Sequence, residues 1–250
     1  HGGVYLTAKK IPRLMEWLMR KVFALDVPFI VLSDDEKQTL TSRFGAKHVA
    51  VLPNCPDLND ARTFTRQSPD VASPLRMGYL GRIEPNKGMS ELLDACQRMK
   101  ALGIPFVLDL AGKEQDEGEY LPLMAQTLGE SFHYSGIVSG EEKAAYLRSL
   151  DVFVMPSYFE GLPMSLLECM SYGAVPVVTP VGSIPRVVAD GENGLMIKKK
   201  DVDSIVESIA RLNNDRPLLR RLSINARKTI FDRFSVERYV EKLNKIYESL

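Results

Sequence analysis

The stretch Val152-Phe-Val-Met-Pro-Ser-Tyr-Phe-Glu160-Gly161-Leu162-Pro163-Met164-Ser165-Leu-Leu-Glu168 decides how the chain is read. Its first four residues form a short apolar run of the kind a fully buried strand needs. A glycine and a proline then punctuate the chain before a helical pattern over 165–172. A buried strand that turns tightly into a helix is half of a parallel crossover unit, because parallel strands cannot be joined by a short hairpin. The same alternation extends outward in both directions. Strand-like runs at 76–80, 106–111, 131–134, 152–155, 175–179 and 194–197 alternate with helical patterns at 89–102, 117–128, 140–150, 165–172 and 201–214. This order predicts an α/β fold, a Rossmann-like doubly wound parallel sheet, over residues 75–234.

Further upstream, Leu14, Trp17, Leu18, Val22 and Leu25 recur near helical spacing, and Pro28 to Leu32 reads as a short strand. Ser33 and Glu36 give the S-x-x-E signature of a helix start, Gly45 closes that helix, and His48 to Leu52 is again strand-like. Residues 1–54 therefore read as part of a second α/β domain. The polar, proline-bearing segment 55–74 reads as the linker between the two. Residues 235–250 form a last helix whose stripe of Val236, Tyr239, Val240, Leu243, Ile246, Tyr247 and Leu250 is expected to pack back toward the N-terminal part.

The totals narrow the function by exclusion. The 32 basic and 32 acidic residues of this 250-residue chain cancel, so no global field points to nucleic acid as a partner. Cys55, Cys96 and Cys169 are odd in number and lack paired spacing, which argues against a disulfide framework or a zinc site and fits a reducing cytoplasm. The three histidines, His1, His48 and His133, form no metal-ligand cluster, so no metal is expected. His48 and His133 lie in strand patterns and read as structural, and Cys169 and Met170 read as core.

Ligands of an open parallel sheet bind at the carboxyl ends of its strands, where loops enter helices. Gly78-Tyr-Leu-Gly81-Arg82-Ile-Glu-Pro-Asn-Lys87-Gly88 is such a loop: Gly81 allows close backbone approach, and Arg82 and Lys87 suit the negative charge of a diphosphate. It matches neither a Walker P-loop nor the dinucleotide fingerprint. In the second loop, Gly161 opens the backbone, Pro163 suits a first helical turn, and free amides near Leu162 to Ser165 would face an anion. Glu160 and Glu168, eight residues apart, bracket that helix start. Locally, Ser165 and Glu168 also fit a capping box, and Glu160 fits an ordinary exposed loop acid.

The whole assembly resembles the E-x7-E signature of the retaining GT-B glycosyltransferases grouped as family 4, also called glycosyl transferases group 1. Glu160 through Glu168 carry the signature; residues 153–157 and 173–180 resemble its flanks, Gly81-Arg82 with Lys87-Gly88 its diphosphate loop, and Asn54 the start of its linker. The resemblance implies a GT-B fold in which Arg82 and Lys87 hold the donor diphosphate. Amides near Gly161 to Met164, through Leu162 and Pro163, would touch phosphate and sugar, Glu168 the ribose hydroxyls, and Glu160 the transferred sugar. Ile137, in the loop Ser135-Gly-Ile-Val138, falls where family members line the nucleobase, and UDP-, GDP- and ADP-sugars all remain open as donors.

The implied reaction is transfer of a sugar, with retained anomeric configuration and no cofactor or metal, to a carbohydrate or lipid-linked acceptor. Residues 1–54 would be the remnant of the acceptor-side domain, and His1 resembles a cleft histidine of some relatives. A helix with Lys9, Lys10, Arg13, Arg20 and Lys21 beside its apolar residues would suit peripheral contact with the inner face of a membrane, against the plainer reading of a helix packed on its own domain. The competing readings are a non-catalytic nucleotide-sugar binding module and a nucleotide-sugar epimerase, the latter disfavoured by the E-x7-E spacing.

Overall fold

The computed structural model describes residues 11–66, 73–115 and 119–248, which fall into two compact units: residues 1–55 with 234–250, and residues 56–233. His1, Lys9, Lys10 and Leu250 lie outside the described residues.

In the first unit, helix α1 (Arg13–Phe23) leads to strand β1 (Pro28–Val31), helix α2 (Asp34–Phe44) and strand β2 (His48–Val51). The two strands pair in parallel, Pro28 opposite His48 and Val31 opposite Val51. Ser33 caps α2 as its sequence foretells, its Oγ accepting from Glu36 N at 3.2 Å, while the Glu36 carboxylate accepts from Leu32 N at 2.8 Å. Gly45 ends α2 at φ 78°, a left-handed position that glycine adopts without strain. Val31, Leu40, Phe44, Ala46 and Val49 form the core, with Ile11, Met19, Phe23 and Phe29 packed on it. Helix α1 packs on its own domain, as the plainer reading expects, but through Met19 and Phe23, while the stripe of Leu14, Trp17, Leu18, Val22 and Leu25 is exposed. Helix α10 (Val236–Glu248) completes the unit, with Val236, Val240 and Tyr247 exposed.

The second unit is the doubly wound domain. Its six strands, β3 (Leu75–Leu80), β4 (Phe106–Ala111), β5 (Phe132–Gly136), β6 (Val152–Met155), β7 (Val175–Val178) and β8 (Leu195–Met196), form one wholly parallel sheet in the order β5-β4-β3-β6-β7-β8. Helices α4 (Met89–Ala101), α5 (Tyr120–Leu128), α6 (Gly140–Ser149), α7 (Met164–Ser171), α8 (Val202–Asn214) and α9 (Arg216–Arg233) complete it, after a single short turn of helix, α3 (Asn59–Thr63). All four residues of β6 and of β7 are buried, as central strands covered on both faces require. Pro176 is tolerated inside β7 because β8 is a two-residue edge that pairs only with Val177 and Val178.

Strand and helix positions follow the sequence pattern to within a few residues at their ends. Helix α9 does not: no element is expected between 215 and 234, yet Leu218, Leu219, Leu222, Ala226 and Ile230 bury one face of an 18-residue helix there. In the proline-bearing stretch 56–66, Leu58 and Ala61 are buried, and Arg66 bonds to the carbonyls of Leu150 and Tyr172 and to Asp151. Among the described residues no helix is long and apolar enough to cross a membrane.

Candidate functional site

The chain lays down β3, β4 and β5 in one direction and then returns to place β6 on the other side of β3, pairing Met77 with Val152 and Gly78 with Phe153. At such a reversal the loops leaving the two central strands diverge and open a crevice at the carboxyl edge of the sheet. The loops that leave β3 and β6 are 81–88 and 156–163, the two singled out by their sequence.

The first loop is held from below. Gly81 N donates to Ala111 O at 3.0 Å, Ile83 is buried and its N–H donates to Lys113 O at 3.0 Å, and Tyr79 Oη donates to Arg82 O at 2.7 Å. A short 3-10 turn, Pro85–Lys87, presents Lys87 immediately before α4. Burial, and then the negative charges of Glu160 and Glu84, push the Tyr79 hydroxyl far above its ordinary range, with Arg82 opposing. It therefore stays protonated and remains a donor. Arg82 keeps half its side chain exposed, with Nη2 3.3 Å from Glu84 Oε1.

The second loop is tied to the first at three points. Tyr158 N donates to Asn86 O at 2.8 Å, a Cβ on Gly88 (φ 74°) would fall 2.3 Å from Pro156 O, and Lys87 Nζ donates to Glu160 Oε1 at 2.7 Å. The last pair is largely enclosed, the two side chains being 14% and 12% exposed. From behind, Ser183 N donates to Gly161 O at 3.0 Å, and Gly182 (φ 55°) lies so close that a Cβ there would stand 2.0 Å from Glu160 O. Only glycine fits that contact.

Helix α7 starts at Met164, with Pro163 at the capping position and no side chain satisfying its first turn. The capping box of Ser165 and Glu168 is therefore not formed, since the helix begins before Ser165 and Glu168 sits in its second turn. The amides of Met164, Ser165 and Leu166 belong to the uncapped first turn, a local concentration of positive partial charge. No heavy atom lies within 4 Å of where a Cβ on Gly161 would sit, so that face of the loop is open.

Glu168 has a partner the sequence did not signal. Lys143, in the first turns of α6, donates from Nζ to Glu168 Oε1 at 2.9 Å. The two residues come from adjacent crossovers, 25 positions apart, and no local periodicity links them. Tyr158 and Gly182 are likewise unsignalled. Ile137 lies on the loop after β5, largely exposed, and His1 lies outside the described residues. Below the site, Cys169 and Met170 are fully buried, as expected of core; His48 and His133 occupy β2 and β5. Among the described residues no three metal-ligating side chains come together.

A cavity of about 540 Å³ lies elsewhere, at the end of the sheet where Asp151 enters β6. Its Arg66 and Arg227 donate to the carbonyls of Leu150, Tyr172 and Ser171. Those cations close strand and helix ends, and the cavity is not part of the crevice.

The two loops and α7 thus carry Arg82 and Lys87, an uncapped helix start and two lysine-paired carboxylates, a set suited to an anionic ligand that also carries hydroxyl groups. Comparison with known proteins gives the family and the fold. MMP alpha-(1->4)-mannosyltransferase of Mycolicibacterium hassiacum is 32% identical over 166 residues, 66% of this chain and 40% of that protein, so the match spans less than half of the relative. Sucrose-phosphate synthase from Thermosynechococcus elongatus superposes with a TM-score of 0.81 at 20% identity, over 99% of this chain and 64% of that one. Anabaena HepE, solved in complex with UDP, gives a TM-score of 0.79 at 19% identity, over 94% of this chain and 68% of that one. Both likenesses bear on the fold, which is of the GT-B type. The family model described as glycosyl transferases group 1 matches residues 61–229, most of the second unit and with it both loops of the crevice. By that match the chain belongs to the glycosyl transferases group 1 family.

Proposed function

We propose that this chain carries the donor half of a retaining glycosyltransferase, which takes a sugar from a nucleoside diphosphate sugar and passes it to a carbohydrate or lipid-linked acceptor. The observation that carries the proposal is the pairing of both signature carboxylates with lysines from neighbouring elements, Glu160 with Lys87 and Glu168 with Lys143, on either side of the α7 start. In this reading the diphosphate lies against Arg82, Lys87 and the amides of Gly161 to Met164. The negative charge that grows on the leaving diphosphate is met by groups already in place, which is the most effective form of electrostatic stabilisation. Glu168 accepts from the ribose hydroxyls, and Glu160 faces the transferred sugar, where a carboxylate stabilises positive charge at the anomeric carbon. Ile137 borders the base. Residues 1–54 are the end of the acceptor-side domain.

HepE was solved with UDP, which makes UDP the first nucleotide to try. The test is calorimetric binding of UDP, GDP and ADP, in the presence of a chelator, to the chain and to its Glu168→Ala and Arg82→Ala variants. One nucleotide should bind, and each variant should weaken it about tenfold or more, the worth of a hydrogen bond to a charged group. Absence of binding to the folded chain, or unchanged affinity in both variants, overturns the reading.

A further inference from the structure

Among the described residues, Lys143 is the only side chain bonded to the Glu168 carboxylate, and it holds one oxygen, Oε1, at 2.9 Å. The helix that carries Glu168 is fixed, since Leu166, Leu167, Cys169 and Met170 on either side of it are buried without exposure. The carboxylate at the end of a flexible side chain is not fixed by its helix, and orienting it costs rotamer freedom. With Lys143 37% exposed and Glu168 17%, the pair has little to add to folding stability, because water screens a partly solvated ion pair. Its consequence is geometric. One oxygen is tied down, and the other is left to accept from a ligand.

We propose that Lys143 is a positioning residue that orients Glu168 toward the ribose, and so sets the preference of the site for ribonucleotides over deoxyribonucleotides. The proposal rests on the donor-site reading above. Vicinal hydroxyls are a paired donor, and a carboxylate recognises them well only when its plane is held in place. Loss of the Lys143 cation leaves the Glu168 carboxyl present but free to rotate. Recognition of the hydroxyls then fades, while contacts to the phosphates and base persist.

The experiment compares Kd values for UDP, 2′-deoxy-UDP and 3′-deoxy-UDP, or for the matching guanosine or adenosine set if that base binds best. They are measured on the chain and on its Lys143→Met, Lys143→Arg and Glu168→Gln variants, with thermal melts showing that each is folded. The chain should prefer UDP over the deoxy forms by about tenfold or more. Lys143→Met should weaken UDP binding about five- to tenfold and leave the deoxy forms within about twofold, so that the preference collapses toward that of Glu168→Gln. Lys143→Arg should restore most of it. If Lys143→Met keeps the preference, or weakens all three nucleotides equally, the positioning role is wrong while the donor site stands. If the chain itself shows no binding or no preference for the hydroxyls, the donor-site reading fails, and this inference with it.

Discussion

Lys87 Nζ lies 2.7 Å from Glu160 Oε1 and bridges the loops that leave β3 and β6 at the reversal of the sheet. The cation proposed for the diphosphate and the carboxylate proposed for the sugar therefore hold one another. In the proposed complex the diphosphate would meet Lys87 already held beside Glu160.

Because both side chains of this pair are mostly enclosed, removal of one partner strands the other. Lys87→Met should destabilise the fold by about 1–3 kcal/mol, the cost of a polar or charged group left unpaired. The double variant Lys87→Met/Glu160→Gln should recover much of that loss, since no bare charge remains. Urea unfolding of the two single variants and the double variant checks it. Additive losses would show that the two groups do not interact in solution.

A backbone contact sets the position of the main chain at Glu160. Gly182 and Gly103 both have positive φ, 55° and 68°, but a Cβ at Gly182 meets Glu160 O at 2.0 Å whereas one at Gly103 meets nothing within 4 Å. Gly103→Ala should therefore cost only the left-handed strain of about 1–2 kcal/mol. Gly182→Ala should cost more and, alone of the two, weaken nucleotide binding by displacing the 160–163 loop. Equal melting temperatures and equal affinities would refute the contact.

The sheet was legible because β6 and β7 are short, unbroken apolar runs and several crossovers begin with turn residues. The Ser33–Glu36 cap and the loops bearing Arg82, Lys87, Glu160 and Glu168 could be placed from order alone. Three features could not. Helix α9 has its buried face at Leu218, Leu222, Ala226 and Ile230, but charged residues at 220, 221, 227 and 228 dilute the apolar signal. The α1 pattern marks an amphipathic helix, but its named stripe is exposed and the core takes Met19 and Phe23 instead, a choice made by tertiary packing. Lys143 on α6 reaches Glu168 on α7 across the intervening strand β6 in the chain, a proximity in space that has no counterpart in local spacing.

Two aspartates should oppose each other in the acid limb of stability. Hydrogen bonds from Tyr172 and Arg148 hold Asp60 below its ordinary value of 3.8, so its contribution is present above that value and is lost as pH falls through its folded pKa. Burial raises Asp109, against the bond from Ser135 Oγ, so its contribution is complete below 3.8 and is lost as pH rises through its folded pKa. Asp60→Asn should thus lower the melting temperature at pH 7 and flatten the fall below pH 4 (about the ordinary carboxyl range). Asp109→Asn, which keeps an acceptor for Ser135, should raise the melting temperature at neutral pH and lose that advantage in acid. A pH series of thermal melts decides both signs.

Cys96 and Cys169 report on the packing of the second unit. Burial, and then the charge of Glu168, push the Cys169 thiol well above its ordinary range, and burial alone does the same for Cys96. Both side chains are fully buried, whereas Cys55 is partly accessible. A thiol reagent at mildly alkaline pH should label Cys55 first, and Cys96 and Cys169 only as the domain opens, because the thiolate is the reacting form and needs access. Saturation with the nucleotide that binds should then slow labelling of Cys169, since a ligand at a hundred times its Kd stabilises the bound fold by about 2.7 kcal/mol, about a hundredfold in the open population. Labelling of Cys169 as fast as Cys55 would mean that α7 is not seated in the core. Seated but unprotected by any nucleotide, it would leave the fold intact and remove the donor from the crevice.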